Sequence, residues 1–220
     1  MDMAGTTLDV SDAVAGAMRG ALDEVGAAVP EARIRDVRGR AKLEALRSRL
    51  ASRGRTDSRL AERVHMRFRE ELLRLASESV RPIEGAARAI SWIRGRRIPV
   101  WLTTGFDRGL ANVLLGRVGW GPELVSGLVT SDDVAQGRPE PDMVLRAMLE
   151  AGIEDPDAVL VAGDTWADLD AAWAARVGYA VAVLTGANDR KELEDSRHSV
   201  ILASVAGVPG WLRSEGAVEP

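Results

Sequence analysis

Cysteine is absent from this sequence of 220 residues. That absence excludes disulfides, thiolate zinc sites and a cysteine nucleophile, and it fits a reducing compartment. Histidine is scarce: there are two, His65 and His198, and both look like surface or core residues. An excess of positive charge is missing as well. The formal net charge is −4, which leaves no electrostatic case for nucleic acid as the main partner. No apolar run approaches the roughly 20 residues that span a bilayer, so no membrane is expected. Asp2 follows Met1 at once, so no signal peptide is expected and a cytoplasmic location is the default. Internal repeats and low-complexity tracts are lacking. What is there is 46% hydrophobic and 28% charged, an ordinary globular balance. The length suits one large domain, or one domain with an insert.

From residue 11 to 80 the apolar spacing is helical. Ala13, Val14, Ala17, Met18, Ala21, Leu22 and Val25 recur at three- and four-residue steps, with Ser11 or Asp12 as a cap. A short helix over 31–37 is expected, then a basic loop, Arg38-Gly39-Arg40-Ala41-Lys42. Leu43, Leu46 and Leu50 share the face of a third helix, and Leu60, Val64, Phe68, Leu72 and Leu75 mark a fourth over 57–77. No strand pattern interrupts this small helical bundle.

Near residue 81 the character changes. Ile98–Thr103, Val125–Val129, Ala158–Ala162, Ala180–Leu184 and Ser199–Leu202 are short apolar runs, as buried parallel strands show. Helices are expected between them, over 84–95, 107–117, 141–151 and 168–176, and 213–220 reads as a frayed tail. Strands alternating with helices predict an α/β core with a parallel sheet. Ligands of such sheets bind beyond the carboxyl ends of the strands.

The polar residues at those ends stand in a telling order. Asp2-Met3-Ala4-Gly5-Thr6-Thr7 opens the chain with a carboxylate among small residues. A phosphate could approach there, and the alternative is a polar turn. Thr104-Gly105 ends the first long strand; Thr104 can bond a phosphoryl oxygen or cap a helix. Gly137-Arg138-Pro139-Glu140-Pro141-Asp142 holds one prominent cation in a stiff loop, suited to a phosphoryl group or to solvent. Gly163-Asp164-Thr165-Trp166-Ala167-Asp168 offers two carboxylates for a hard cation such as Mg²⁺, with helix capping as the other role for Asp164.

Taken together, these motifs resemble the haloacid dehalogenase superfamily of phosphohydrolases. Asp-Met-Ala-Gly-Thr-Thr, Thr-Thr-Gly-Phe-Asp-Arg and Gly-Arg-Pro-Glu-Pro-Asp-Met are similar to its phosphonatase-type members. The resemblance implies an α/β fold: a Rossmann-like parallel sheet flanked by helices, spanning 1–10 and 81–220, with an inserted α-helical cap over 11–80. It implies Asp2 as nucleophile, and Mg²⁺ held by Asp2, the Ala4 carbonyl and Asp164, with Asp168 as ligand or support. Thr104 and Arg138 would bind phosphoryl oxygens. Thr6, Gly39, Lys42 and Gly105 would complete the substrate-binding set.

Phosphatases of that superfamily carry a second Asp two residues after the nucleophile, to protonate the leaving group. Ala4 stands there instead. A positioned proton donor typically contributes about 10²–10⁴-fold, so an ordinary ester loses that help. A phosphonate beside a carbonyl avoids the need, because a Lys-derived iminium accepts the electrons of the broken C–P bond. Lys42 is the candidate, between a Schiff-base role and simple anion binding. Arg38 and Arg40 beside it favour its neutral form. The phosphonatase loop has a His three residues after this Lys, where Ala45 stands.

The expected partner is a small phosphonate or phosphate. A plain phosphomonoesterase and a non-catalytic relative are the other readings. Oligomeric state is left open, a homodimer included. A strand is expected ahead of Asp2 to anchor it, and Met1 alone stands there. Either the chain continues upstream or the core sheet lacks a central strand.

Overall fold

A computed structural model describes residues 1–28, 46–47, 50–51, 54 and 56–218, the side chains of 77 and 78 apart. The expected helix over 31–37 and the basic loop with Gly39, Lys42 and Ala45 lie outside these residues. Leu46 and Leu50 are described, helical and buried.

Two helices of the 11–80 segment are described along their length. Helix α1 (Ser11–Glu24) buries Ala13, Val14, Ala17, Met18, Ala21 and Leu22, the stripe its spacing predicts. Its cap differs from expectation. Neither Ser11 nor Asp12 caps it; Asp9 Oδ1 accepts from the Ser11 N–H at 3.2 Å and from its hydroxyl at 2.7 Å. Helix α2 (Ser58–Ser79) starts from an Asp57 cap and turns Val64, Phe68 and Leu72 inward against α1. The two chain crossings between this segment and the rest are tied together. Strand β1 (Leu8–Asp9) pairs antiparallel with β2 (Arg81–Pro82), and Ile83 N–H donates to the Thr7 carbonyl at 2.9 Å.

The remaining elements alternate: α3 (Ala86–Arg94), β3 (Trp101–Thr103), α4 (Arg108–Arg117), β4 (Gly127–Val129), α5 (Asp142–Ala151), β5 (Leu160–Gly163), α6 (Trp166–Ala174) and β6 (Tyr179–Val183). They are followed by α7 (Arg190–Glu194), β7 (Val200–Leu202) and α8 (Val208–Ser214). β3, β4, β5 and β7 are shorter than their apolar runs, β6 is shifted back by one residue, and α6 begins at Trp166 rather than Asp168. Helix α7 was not foreseen. Helix α8, also unforeseen, buries Leu212, and within the stretch expected to fray Val218 packs on the core.

The sheet has two parallel halves, β3–β4 and β5–β6–β7. Met1 and Asp2 splice them. Thr103 N–H donates to the Met1 carbonyl at 2.9 Å, and the Met1 ammonium donates to the Trp101 carbonyl at 2.8 Å. On the other side Asp2 N–H donates to the Ala162 carbonyl at 2.8 Å. The central position is therefore filled by a two-residue strand. The β6 run Ala180-Val181-Ala182-Val183 is buried on both faces: the valines join the main core, while the alanines meet Leu169 and Ala172 of α6. That explains its continuous apolar sequence. Among the described residues, no helix is long and apolar enough to cross a membrane.

Candidate active site

Burying a polar side chain costs free energy unless it is bonded, so buried polar groups mark where a fold concentrates function. Among the described residues these are Asp2, Thr6, Thr7, Thr103, Thr104, Thr130, Arg138, Asp164, Thr165 and Asp168. Apart from Arg138, which lies in the loop between β4 and α5, they sit in or just after the strands or in the turn after Asp2. The structure thus brings together Asp2, Thr6, Thr104, Arg138, Asp164 and Asp168, which lie far apart in sequence.

Asp2 leaves the splice strand beside Arg138, whose Nη1 lies 2.6 Å from Asp2 Oδ1. The same Nη1 is paired with Asp168 Oδ1. Arg138 is therefore a buried bridge between two carboxylates. Its Nε is buried with no hydrogen-bond partner. The preceding loop is closed by Gln136 N–H on Asp142 Oδ2 at 3.1 Å and by Glu140 N–H on the Gly137 carbonyl at 3.1 Å.

Asp168 is committed on its other oxygen too. Its Oδ2 accepts from the Thr165 N–H at 3.0 Å and from the Thr165 hydroxyl at 2.5 Å, which makes the capping box of α6. Of its two expected roles, this geometry matches support and not direct ligation. Thr165 and not Asp164 caps α6. Asp164 faces inward, where Oδ1 accepts from the Thr6 hydroxyl at 2.8 Å and Oδ2 from the Ala187 N–H at 2.7 Å. Thr104 is likewise no helix cap, because Asp107 caps α4. Its Oγ1 accepts from the Phe106 N–H at 3.2 Å, and Gly105 lies in the turn between.

The turns around Asp164 are cut to fit. Gly5 has φ +95°, and a Cβ there would stand 2.6 Å from Asp164 Oδ2. A Cβ on Gly186 would stand 1.8 Å from the same oxygen. The loop after β6 was missed by sequence reasoning. Thr185 donates its hydroxyl to the Gly5 carbonyl at 2.6 Å, and Asn188 Oδ1 accepts from the Trp166 N–H at 2.9 Å. The loop thereby holds the turn after Asp2 and the turn after β5. The strand-end rule that found Thr104 and Asp164 points equally to Thr185-Gly186.

Charge is unbalanced in this buried cluster. Asp2, Asp164 and Asp168 face one guanidinium. Burial, and then the Asp2 carboxylate, push Asp164 from 3.8 up to about 7. Among the described residues no three His, Cys, Asp or Glu side chains are grouped to hold a metal. The available carboxylates are Asp2 and Asp164, and the resemblance adds the Ala4 carbonyl. Mg²⁺ asks for one or two carboxylates, with water and substrate oxygens completing its shell. The donor set and the uncompensated Asp164 fit that ion. Lys42 and Gly39, outside the described residues, add nothing to this geometry.

Known proteins are similar to this chain. A family model for haloacid dehalogenase-like hydrolases matches residues 1–176. A phosphonoacetaldehyde hydrolase of Bacteroides fragilis is 27% identical over 68% of this chain and 56% of its own length, so the chain spans little more than half of that relative. Two solved structures share the fold. A hydrolase from Pseudomonas syringae has a TM-score of 0.87 at 24% identity, over 97% of this chain and 96% of that one. A phosphonoacetaldehyde hydrolase like protein from Oleispira antarctica has a TM-score of 0.85 at 21% identity, over 97% and 90%. With its motifs gathered at one end of a parallel sheet and most of its length matched, this chain belongs to the haloacid dehalogenase-like hydrolases.

Proposed function

We propose that the protein is a Mg²⁺-dependent hydrolase of a small phosphonate carrying a carbonyl next to its C–P bond, acting through an aspartyl-phosphate on Asp2. Ala4 carries this reading. It stands two residues after the nucleophile, in the turn closed by the Gly5 N–H on the Leu8 carbonyl at 2.8 Å, and has no proton to give. The resemblance to phosphonatases supplies the substrate class.

Asp2, Asp164 and the Ala4 carbonyl would hold Mg²⁺, which when bound neutralises charge on the transferring phosphoryl group. The chain's own residues do the rest. Arg138 holds the Asp2 carboxylate in place, and Asp168 holds Arg138. Asp2 attacks phosphorus through the carboxylate oxygen left free for it. The C–P bond breaks, and its electron pair moves into the neighbouring carbonyl or its Lys42 iminium; the enolate or enamine so formed takes a proton from water on carbon and leaves as the aldehyde, in the Lys42 case after hydrolysis of the imine, so no acid at position 4 is required. Water then cleaves the acyl phosphate, releasing phosphate and restoring Asp2. Thr104, at the end of β3, would donate its hydroxyl to a phosphoryl oxygen. Residues 11–80 serve as a cap over the site, hinged at the β1–β2 pair, and the site works in a soluble enzyme of the cytoplasm.

Phosphate release from phosphonoacetaldehyde, set beside a panel of phosphate esters in the presence of Mg²⁺, tests the reading. Turnover of the phosphonate and not of the esters is expected. Ester turnover alone replaces this reading by the phosphomonoesterase. Borohydride reduction during phosphonate turnover should leave an adduct on Lys42; an unmodified Lys42 peptide removes the iminium.

A further inference from the structure

Away from the buried carboxylates, a fitted contact joins the 11–80 segment to the rest of the molecule. Helix α2 packs on α4, and the Arg69 side chain reaches across, with Nε 2.9 Å from Asp107 Oδ2. Asp107 uses its other oxygen to cap α4, accepting from the Leu110 N–H at 3.0 Å. Gly109 makes the room: a Cβ there would stand 2.8 Å from Arg69 Nη2 and 3.2 Å from Asp107 Oδ1. His65, one turn earlier on α2, is held below its ordinary value by burial, so at neutral pH the cation that meets Asp107 is Arg69.

Asp107 ends the turn that begins with Thr104. Thr104 Oγ1 accepts from the Phe106 N–H at 3.2 Å, and the Phe106 carbonyl accepts from the Ser131 N–H and hydroxyl, both at 3.1 Å. The loop after β4 thus braces this turn on one side, and Arg69 holds it on the other. Helix α2 runs on from Arg69 to Ser79, which puts the contact about 15 Å along the helix from the β1–β2 crossings. A bond at that distance resists swinging of α2 about the crossings more than another bond at the crossings could, because its lever arm is longer. An ion pair this exposed contributes little to folding. Gly109, for its part, is a poor helix former inside α4, and its missing side chain is the space Arg69 occupies.

We propose that Arg69 is a positioning residue for the reaction: seated on Asp107 and Gly109, its guanidinium sets the angle of α2 over the site and ties that angle to the turn carrying Thr104. The role rests on the cap reading of residues 11–80. Arg69 acts through the helix and the turn, not on the substrate.

Two substitutions test it. Gly109→Ala fills the seat without removing a charge, and Asp107→Asn keeps the cap of α4 while turning an amide N–H toward Arg69. With phosphonoacetaldehyde and Mg²⁺, each is expected to raise the KM for phosphate release about two- to fivefold and to leave kcat within about twofold. Gly109→Ala should do so while melting at or above the parent's temperature, because alanine favours the helix. An unchanged KM, or a loss of kcat that follows a lowered Tm, leaves the pair a structural role only and overturns the proposal. A second readout needs no turnover, so it separates failure of this proposal from failure of the phosphonate reading. The chain lacks cysteine, so spin labels on Asp23→Cys in α1 and Asp195→Cys after α7, both exposed, report one distance between the two parts. Its distribution should widen in Gly109→Ala and in Asp107→Asn; equal widths in all three proteins overturn the proposal.

Discussion

Asp164→Asn should make the metal-free protein more stable at pH 8, although it removes a residue central to the site. Burial beside Asp2 raises the Asp164 carboxyl from 3.8 to about 7. Its folded value lies above its unfolded one, so the folded chain binds an extra proton between about pH 4 and pH 7. Stability is present in full below that window and falls as pH climbs through it. Holding Asp164 ionised at pH 8 costs about 4 kcal/mol, at about 1.4 kcal/mol per tenfold change in proton affinity. Asn removes that cost. It still accepts from Thr6, but its amide nitrogen cannot accept from the Ala187 N–H, and an unmade buried bond costs about 1–3 kcal/mol. The net gain at pH 8 is about 2 kcal/mol, or a Tm about 4–8 °C higher. At pH 5 the parent carboxyl is protonated, so only the lost bond remains and the variant melts lower. The Met1 ammonium is lowered from 8.0 to about 6 by burial, and its contribution rises between those pH values. It is common to both proteins and cancels. Thermal melts in EDTA at pH 5 and pH 8 decide the matter, and a variant that melts at or below the parent at pH 8 refutes the reasoning. Mg²⁺ at pH 8 should then raise the parent's Tm and not the variant's.

Three other substitutions test the frame around Asp2. Arg138→Ala leaves Asp2 and Asp168 buried without their shared cation, and should cost about 3–5 kcal/mol in urea denaturation and abolish phosphate release. Thr185→Val removes the bond to the Gly5 carbonyl; it should cost about 1 kcal/mol in the same assay and slow phosphate release at least about tenfold, with Thr185→Ser restoring both. Gly186→Ala places a methyl 1.8 Å from Asp164 Oδ2, so the Tm rise produced by Mg²⁺ should shrink or vanish.

The sequence disclosed the strands because parallel strands covered on both faces are apolar throughout, as Ala180–Val183 is. It pointed to Thr104 and Asp164 because polar residues stand where such runs end. Two site features were not legible. Arg138 reads in sequence as a loop cation, and only the folded chain shows that Asp2 and Asp168 occupy it. The central strand has no signature either, since two residues carry no periodicity; its existence depends on edges offered by Trp101, Thr103 and Ala162 from distant parts of the chain. Thr185 was overlooked for a different reason: its hydroxyl acts on a backbone carbonyl, a role many residue types could share.

The splice at Met1–Asp2 gives the molecule a seam. The only main-chain bonds described across it belong to Asp2 and Met1. Each half of the sheet, with its helices, keeps its internal ladder when that seam parts. Under mild denaturation, catalysis should therefore fail before helical signal or tryptophan burial changes. An enzyme built this way reports on the integrity of its weakest joint through its own turnover.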